Sequence, residues 1–183
     1  MKILALDPSS TKTGYAVLRD CGPPKRLIDV GLLWPQKKSA PPLQRIMDQV
    51  NELSAILREH QPEIVVVEEP SGHVHGRIRK AGRGVKGLAV YGAAVGGFWV
   101  YLNTWRDLLA ADDESFTLIS EPANTWTDGV PKGKRQNTIA MIYPQYNPKA
   151  DPGADVADAI GLAQWTMDRY LKAQVAIAKT KEG

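Results

Sequence analysis

Five acidic residues stand at the ends of apolar stretches in this sequence. Asp7 closes the run KILALD, Glu68 and Glu69 close the run IVVVEE, and Asp155 and Asp158 open a C-terminal apolar pattern. Carboxylates held together repel one another, and their pKa values rise unless a cation lies among them. Hard divalent cations such as Mg²⁺ and Mn²⁺ prefer oxygen ligands, and two of them can clamp the attacking and leaving oxygens of a phosphodiester. If the fold brings these residues together, they suit metal-assisted phosphoryl transfer.

The elements predicted around these carboxylates are those of a mixed α/β sheet. The runs KILALD, TGYAVL and RLIDVGLLW, separated by short turns, predict three antiparallel strands. Further along, the pattern predicts a helix over 43–57, a buried strand at IVVVEE, a helix over 88–109, a strand at FTLIS, a loop over 122–131, a weak helix over about 133–146 and a last helix from near 155. A meander followed by βαβ units predicts a mixed five-stranded sheet with helices on both faces, for which the RNase H-like fold is one candidate.

This order of elements can gather the carboxylates at one edge of the sheet. If the first and fourth strands are neighbours, Asp7 meets the glutamate pair there, and Asp155 and Asp158 share one face of the last helix. Only one of Glu68 and Glu69 can face the side of Asp7, because successive strand residues point oppositely, but the apolar run before them does not decide which. Each carboxylate also has a simpler explanation, as a turn residue, a solvated strand end or a helix cap.

Composition limits the protein class. The 183 residues, 43% of them hydrophobic, are enough for one domain with a real core, and we expect 1–183 to form a single domain with 175–183 as a flexible tail. A single cysteine, Cys21, excludes an internal disulfide. No signal-peptide pattern and no spanning apolar run is found, so a cytoplasmic protein is expected. With 23 basic and 20 acidic residues, the total charge alone indicates no polyanionic partner.

The distribution of charge is more informative than its total. No acidic residue occurs between Pro70 and Asp107, and a Gly-rich segment there carries five cations, at Arg77, Arg79, Lys80, Arg83 and Lys86. Such a segment suits DNA phosphates, although a solvated basic loop is the alternative. A second basic group precedes the last carboxylates and comprises Lys132, Lys134 and Arg135, with a charged helix start as its alternative. His73 and His75 lack clustered partners, so base stacking or a plain loop role is favoured over metal binding.

Three blocks of the sequence resemble the RuvC-type Holliday junction resolvases. The block ILALDPSSTKTGYAVL resembles the opening of that family through Asp7, Pro8, Ser10, Thr13, Gly14 and Tyr15. IVVVEEP is similar to the second block, which ends in a catalytic glutamate, and DVADAIGLAQW is similar to the third. The chain length and the divergent middle fit a phage or stand-alone bacterial member. Two departures are Ser9, where a glycine is usual, and Ser71, near where the family often has an aromatic residue.

The resemblance implies an RNase H-like fold and a homodimeric, Mg²⁺-dependent endonuclease that cuts four-way DNA junctions. Two symmetric nicks would leave 5′-phosphates and 3′-hydroxyls, with two ions expected and Mn²⁺ as a substitute. By position, the catalytic and metal-binding residues would be Asp7, Glu68, Asp155 and Asp158, and Lys134 would assist the scissile phosphate. The family block thus selects Glu68 over Glu69.

Other functions remain open from the sequence. A nuclease acting on other branched DNA or on RNA–DNA hybrids would use the same carboxylates. An actin-like or sugar-kinase-type ATPase shares an Asp followed by Thr-Gly in a hairpin, but its duplicated domains need a longer chain. A nuclease-dead junction-binding module is disfavoured by the intact acidic set. The glycines of GAAVGG, residues 92–97, indicate a close approach, either to a second subunit or to the core.

Overall fold

The computed structural model describes residues 1–22, 25–69, 85–109 and 115–181. Five strands form one sheet, and they are β1 (Lys2–Asp7), β2 (Thr13–Arg19), β3 (Arg26–Leu33), β4 (Ile64–Glu69) and β5 (Thr117–Pro122). The helices are α1 (Pro42–His60), α2 (Val85–Leu109), α3 (Ala123–Thr127), α4 (Lys132–Ile142) and α5 (Asp155–Lys181), with a 3₁₀ turn at Pro148–Ala150. In the described residues, no helix is long and apolar enough to cross a membrane.

The sheet has the strand order β3-β2-β1-β4-β5. The first three strands pair antiparallel, as the short turns between them require, and β4 pairs parallel with both β1 and β5. The predicted mixed sheet is confirmed. The first and fourth strands are neighbours, so their carboxyl ends meet at one edge.

Helices cover both faces of the sheet. Alternate residues of β1 and β4, namely Ile3, Ala5, Ile64 and Val66, pack on one face against α5. The intervening residues Leu4, Leu6, Val65 and Val67 pack on the other face against α1 and α2. Each central strand is therefore buried on both sides, which explains its continuous apolar run.

The structure corrects one predicted element. Residues 122–131 were expected to form a loop, but β5 continues to Pro122 and α3 follows it directly. The hydroxyl of Thr125 donates a hydrogen bond to the carbonyl of Pro122, and the helix ends at Asp128 in a left-handed conformation. This turn of helix is too short to show a helical period in the sequence, but it buries Trp126.

The turn after β1 and the C-terminal residues 175–181 are the next two regions to compare with the sequence analysis. Ser9 does not adopt a positive φ, and the turn after β1 is held instead by the Thr13 hydroxyl, which accepts a hydrogen bond from the Ser9 amide at 3.2 Å. The backbone of 175–181 belongs to α5, whereas the flexibility predicted for this tail stays a prediction.

Candidate active site

Asp7 and Glu68 lie side by side at the ends of β1 and β4. The parallel register pairs Leu6 with Val67, so the next residue of each strand is a carboxylate. By alternation Asp7 follows Ile3 and Ala5 on the α5 face, and Glu68 shares that face with Val66. Glu69 falls on the opposite face. The register thus places Glu68, rather than Glu69, beside Asp7.

The N-terminus of α5 brings Asp155 and Asp158 to the same edge. Its approach depends on Gly14, which pairs with Asp7 across β1 and β2. A Cβ atom at Gly14 would overlap the backbone carbonyl of Asp155 and would lie 2.9 Å from the amide of Val156. Only a residue without a side chain lets α5 begin this close to β2. We refer to Asp7, Glu68, Asp155 and Asp158 as the carboxylate cluster.

A buried aspartate fixes the first turn of α5. Asp151 is 1% exposed, and its carboxylate accepts hydrogen bonds from the amides of Asp155 at 2.9 Å and Ala157 at 3.0 Å. The hydroxyl of Tyr146 donates a third hydrogen bond to it at 2.7 Å. Burial together with this partner raises the pKa of Tyr146. Asp151 thus satisfies amides that a helix start leaves unpaired, and it orients the two carboxylates beyond it.

Three cations neutralise the helix part of the cluster. The Lys132 ammonium lies 2.8 Å from Asp155 Oδ1, 3.0 Å from Asp158 Oδ2 and 3.8 Å from Asp7 Oδ2. Lys12 Nζ lies 2.7 Å from Asp155 Oδ2. The Arg135 guanidinium donates to both oxygens of Asp158, at 2.9 and 3.0 Å. Asp155 and Asp158 are therefore held by direct ion pairs.

The pKa values reflect an incomplete balance of charge. Burial raises the pKa of Asp7 well above its usual range, and Glu68 raises it further. Burial and the nearby Asp158 raise the pKa of Glu68 to about 7. The pKa of Asp158 is also raised, since burial outweighs its ion pairs with Lys132 and Arg135. Burial of Asp155 acts in the same direction, but hydrogen bonds from Lys12 and Lys132 outweigh it and lower its pKa.

The negative charge of the carboxylate cluster also changes the pKa of Lys132. Burial alone would lower the pKa of its ammonium, but Asp7 and Asp158 outweigh that effect and raise it. The ammonium therefore stays charged and serves as a cation within the carboxylate cluster.

Trp126 contacts Glu68 from the short helix α3. Its indole Nε1–H donates a hydrogen bond to Glu68 Oε2 at 3.0 Å. The indole ring is confined between Arg135, 5.2 Å from its centroid, and Gly161 of α5, where a Cβ atom would lie 3.0 Å from the ring. This contact fixes one oxygen of Glu68.

The donor set of the carboxylate cluster fits a divalent cation. Four carboxylates supply the hard oxygen ligands that Mg²⁺ prefers. The raised pKa values of Asp7 and Glu68 show that their negative charge is not fully neutralised by the protein. In the described part of the chain, no three acidic, histidine or cysteine side chains already converge as ligands of one ion. Asp7, Asp155 and Asp158 converge on the Lys132 ammonium instead, so a metal ion would replace this group.

The other predicted site residues divide into three groups. Lys132 and Arg135, predicted as DNA contacts, lie in the carboxylate cluster. Lys134 is exposed, the ion pairs with the cluster are made by Lys12, Lys132 and Arg135 instead, and the role of Lys134 at the scissile phosphate stays a prediction. The remaining predicted DNA contacts lie outside the described residues, or their side chains do, and they are His73, His75, Arg77, Arg79, Lys80, Arg83 and Lys86.

Sequence reasoning missed three residues of the site. Lys12 was treated as part of a turn, Trp126 fell in a predicted loop, and Asp151 fell in a predicted turn before the last helix. Asp151 alone had a usable indication, because an aspartate shortly before a helix commonly accepts hydrogen bonds from its first amides.

Comparison with known proteins connects this site to one family. The family model of the crossover junction endodeoxyribonuclease RuvC matches residues 3–73, which include Asp7 and Glu68. The RuvC protein of Sphingopyxis alaskensis is 27% identical over 163 residues, covering 89% of this chain and 94% of its own length. That of Pelotomaculum thermopropionicum is 29% identical over 104 residues, and the chain spans only 63% of its length. The RuvC family depends in general on a divalent metal.

Solved structures agree with the fold. The structure of T. thermophilus RuvC in complex with a Holliday junction substrate superposes with a TM-score of 0.62 at 17% identity, covering 90% of this chain and 91% of that one. The chain therefore has the RNase H-like fold of these proteins.

Proposed function

We propose, from its similarity to the RuvC-type Holliday junction resolvases, that this chain is a structure-selective endonuclease that cuts four-way DNA junctions. Paired symmetric nicks leave 5′-phosphates and 3′-hydroxyls. The observation that carries the proposal is the carboxylate cluster, which draws on β1, β4 and α5 at one edge of the sheet. Residues 1–183 are taken as one nuclease domain that acts in the cytoplasm.

The carboxylate cluster is proposed to hold Mg²⁺, as two ions, with Mn²⁺ as a substitute. When bound, the metal activates the attacking water and stabilises charge on the phosphorus centre and the leaving oxygen. Trp126 occupies one oxygen of Glu68 and leaves the other for an ion. Lys132 contributes positive charge at the edge where a scissile phosphate would approach the cluster. Lys134 and Arg135 add positive charge on the same helix, α4.

A homodimer supplies the two active sites that paired nicks require. The glycines of α2 support this, because a Cβ atom at Gly92 or Gly96 would meet no described residue within 4 Å, whereas one at Gly97 would meet Ile46 Cγ2 at 2.9 Å. Gly97 thus serves the core, and the other two leave an open helix face. Val100 on that face is 67% exposed, and Leu88 is also exposed. Val100→Asp is expected to convert a dimer into a monomer in light scattering.

The decisive experiment compares DNA substrates. Purified protein is incubated with a synthetic four-way junction, and with matched duplex, flap and RNA–DNA hybrid controls, each with Mg²⁺ and with EDTA. Paired nicks across the junction, dependent on Mg²⁺, support the proposal. Preferential cutting of the hybrid would identify the protein as a ribonuclease and refute it.

A further inference from the structure

A basic cleft containing an exposed tryptophan lies beside the carboxylate cluster. It has a volume of about 210 Å³ and is lined by Thr11, Lys12, Trp34, Lys38 and Arg45. We refer to it as the Trp34 cleft. Three of its five lining residues are cations and none is acidic. Its lining therefore favours a ligand that combines negative charge with a flat surface.

Trp34 is the flat surface of the cleft. It is 44% exposed, although burial of a large aromatic side chain is energetically favourable. The ammonium groups of Lys38 and Lys12 lie 5.0 and 5.8 Å from its ring centroid. Cations at this distance are attracted to the electron-rich face of an indole. The same arrangement of ring and cations can receive a nucleobase with its phosphates, because bases stack on aromatic rings and phosphates pair with lysines.

The segment that carries Trp34 is held in place. The amide of Trp34 donates to Glu52 Oε2 at 3.1 Å, and the amide of Gln36 donates to Asp48 Oδ2 at 3.0 Å. Across the cleft, Arg45 Nε donates to the carbonyl of Ser10 at 2.7 Å and joins α1 to the β1–β2 turn. Both walls of the cleft are therefore anchored, so a ligand would meet a surface that is already ordered.

Lys12 connects the cleft to the proposed chemistry. Its ammonium contacts Asp155 at 2.7 Å and also lies within the cation–aromatic distance of Trp34. A strand whose phosphate reaches the carboxylate cluster would thus have neighbouring nucleotides within reach of Trp34.

The geometry points to a nucleotide-binding subsite in the Trp34 cleft, where an unpaired base near the scissile phosphate stacks on Trp34 and the adjacent phosphate pairs with Lys38. This inference rests on the proposed nuclease function and adds a contact that the carboxylate cluster alone does not supply.

The test measures binding of a four-way junction in an Asp7→Asn background, which prevents cleavage. Single 2-aminopurine bases are placed in turn around the junction centre, and anisotropy gives the affinity at several salt concentrations. Trp34→Phe keeps an aromatic ring, and Trp34→Leu keeps an apolar side chain that cannot stack. We expect Trp34→Leu to weaken binding about 5- to 100-fold and to restore 2-aminopurine fluorescence at one position, while Trp34→Phe retains both affinity and quenching.

The lysine contact has its own matched control. Lys38→Ala is expected to lower the slope of log affinity against log salt by about 0.7–0.9, the contribution of one phosphate contact. Lys37→Ala removes the same charge from an exposed neighbour without a contact to Trp34, and it is expected to leave the slope unchanged.

The outcomes separate the two proposals. If Trp34→Leu binds and quenches like the parent protein while the wild-type chain still cuts junctions, the subsite is refuted and the proposed function stands. Absence of junction binding by the parent protein would refute both.

Discussion

The two strand carboxylates and the two helix carboxylates meet at one edge, but they are neutralised very differently. Asp155 and Asp158 on α5 contact Lys12, Lys132 and Arg135 at 2.7–3.0 Å. Asp7 has Lys132 at 3.8 Å, and Glu68 receives a hydrogen bond from the neutral indole of Trp126. The helix carboxylates are therefore paired with nearby cations, whereas the negative charge of the strand carboxylates is only partly neutralised.

This difference indicates where a metal ion would be held most strongly. Electrostatic repulsion between buried carboxylates is relieved by whichever cation can approach. Asp7 and Glu68 have raised pKa values, so an added cation would be stabilised most by electrostatic attraction at these two residues. At Asp155 and Asp158 the same cation must first displace an ammonium group.

The first prediction removes the negative charge of Asp7, one of the two strand carboxylates. We expect Asp7→Asn to reduce cleavage by at least about 10²–10³-fold, because a preorganised charged group at the reacting centre is lost. Junction binding should persist, since the change removes negative charge facing DNA. Gel assays of cutting and of binding measure the two effects. Asp107→Asn, at an exposed position of α2, is the control, and unimpaired cutting by Asp7→Asn would contradict the assigned site.

The adjacent glutamates test which strand position belongs to the cluster. Glu68→Gln should abolish cleavage, because it removes a proposed metal ligand on the α5 face. Glu69→Gln should reduce the rate only a few-fold, because Glu69 falls on the opposite face of the sheet. The two variants are compared by their single-turnover cleavage rates on a four-way junction. The reverse result would mean that the register is shifted by one residue.

Gly14→Ala is expected to move the helix carboxylates, Asp155 and Asp158, away from the strand carboxylates. Its Cβ atom overlaps the Asp155 carbonyl, so α5 must move away from β2. We expect a loss of about 1–3 kcal/mol in the free energy of unfolding, together with a large loss of cleavage. Urea denaturation gives the stability. Gly133→Ala, where a Cβ atom would meet no described residue within 4 Å, should not lower stability.

Lys132→Met removes the ammonium that links the two pairs. In EDTA we expect a loss of about 1 kcal/mol, kept small because Lys132 is partly exposed. Added Mn²⁺ should then raise the melting temperature more in the variant than in the wild type, since the ion no longer competes with an ammonium group. Lys134→Met is the matched control. Equal Mn²⁺ responses in all three proteins would show that Lys132 does not occupy a metal position.

The smallest effect concerns pH. Glu68 has its pKa raised from 4.5 to about 7 in the folded chain, so between these values the folded state binds more protons than the unfolded state. The free energy of unfolding in EDTA should therefore fall as pH rises through this window. Glu68→Gln removes the Glu68 part of this dependence and should melt a few degrees higher than the wild type at pH 8, but not at pH 4. A constant difference between pH 4 and 8 would contradict the raised pKa.

The sequence was sufficient to predict the sheet and the positions of the four carboxylates. The runs before Asp7 and Glu68 have strand length, and the spacing of Asp155 and Asp158 places them on one helix face. It could not predict the cations, because side chains as long as Lys12 and Lys132 reach partners far away in the chain. Trp126 was missed because its contact with Glu68 depends on a helix of five residues, for which no period can be read.

The close fit of Gly14 against Asp155 also has a consequence for protein synthesis. Asp7 and Glu68 leave the ribosome before α5 is made, and until α5 docks on β2 the sheet edge holds only half of the carboxylates. A site divided in this way is complete only once α5 has docked.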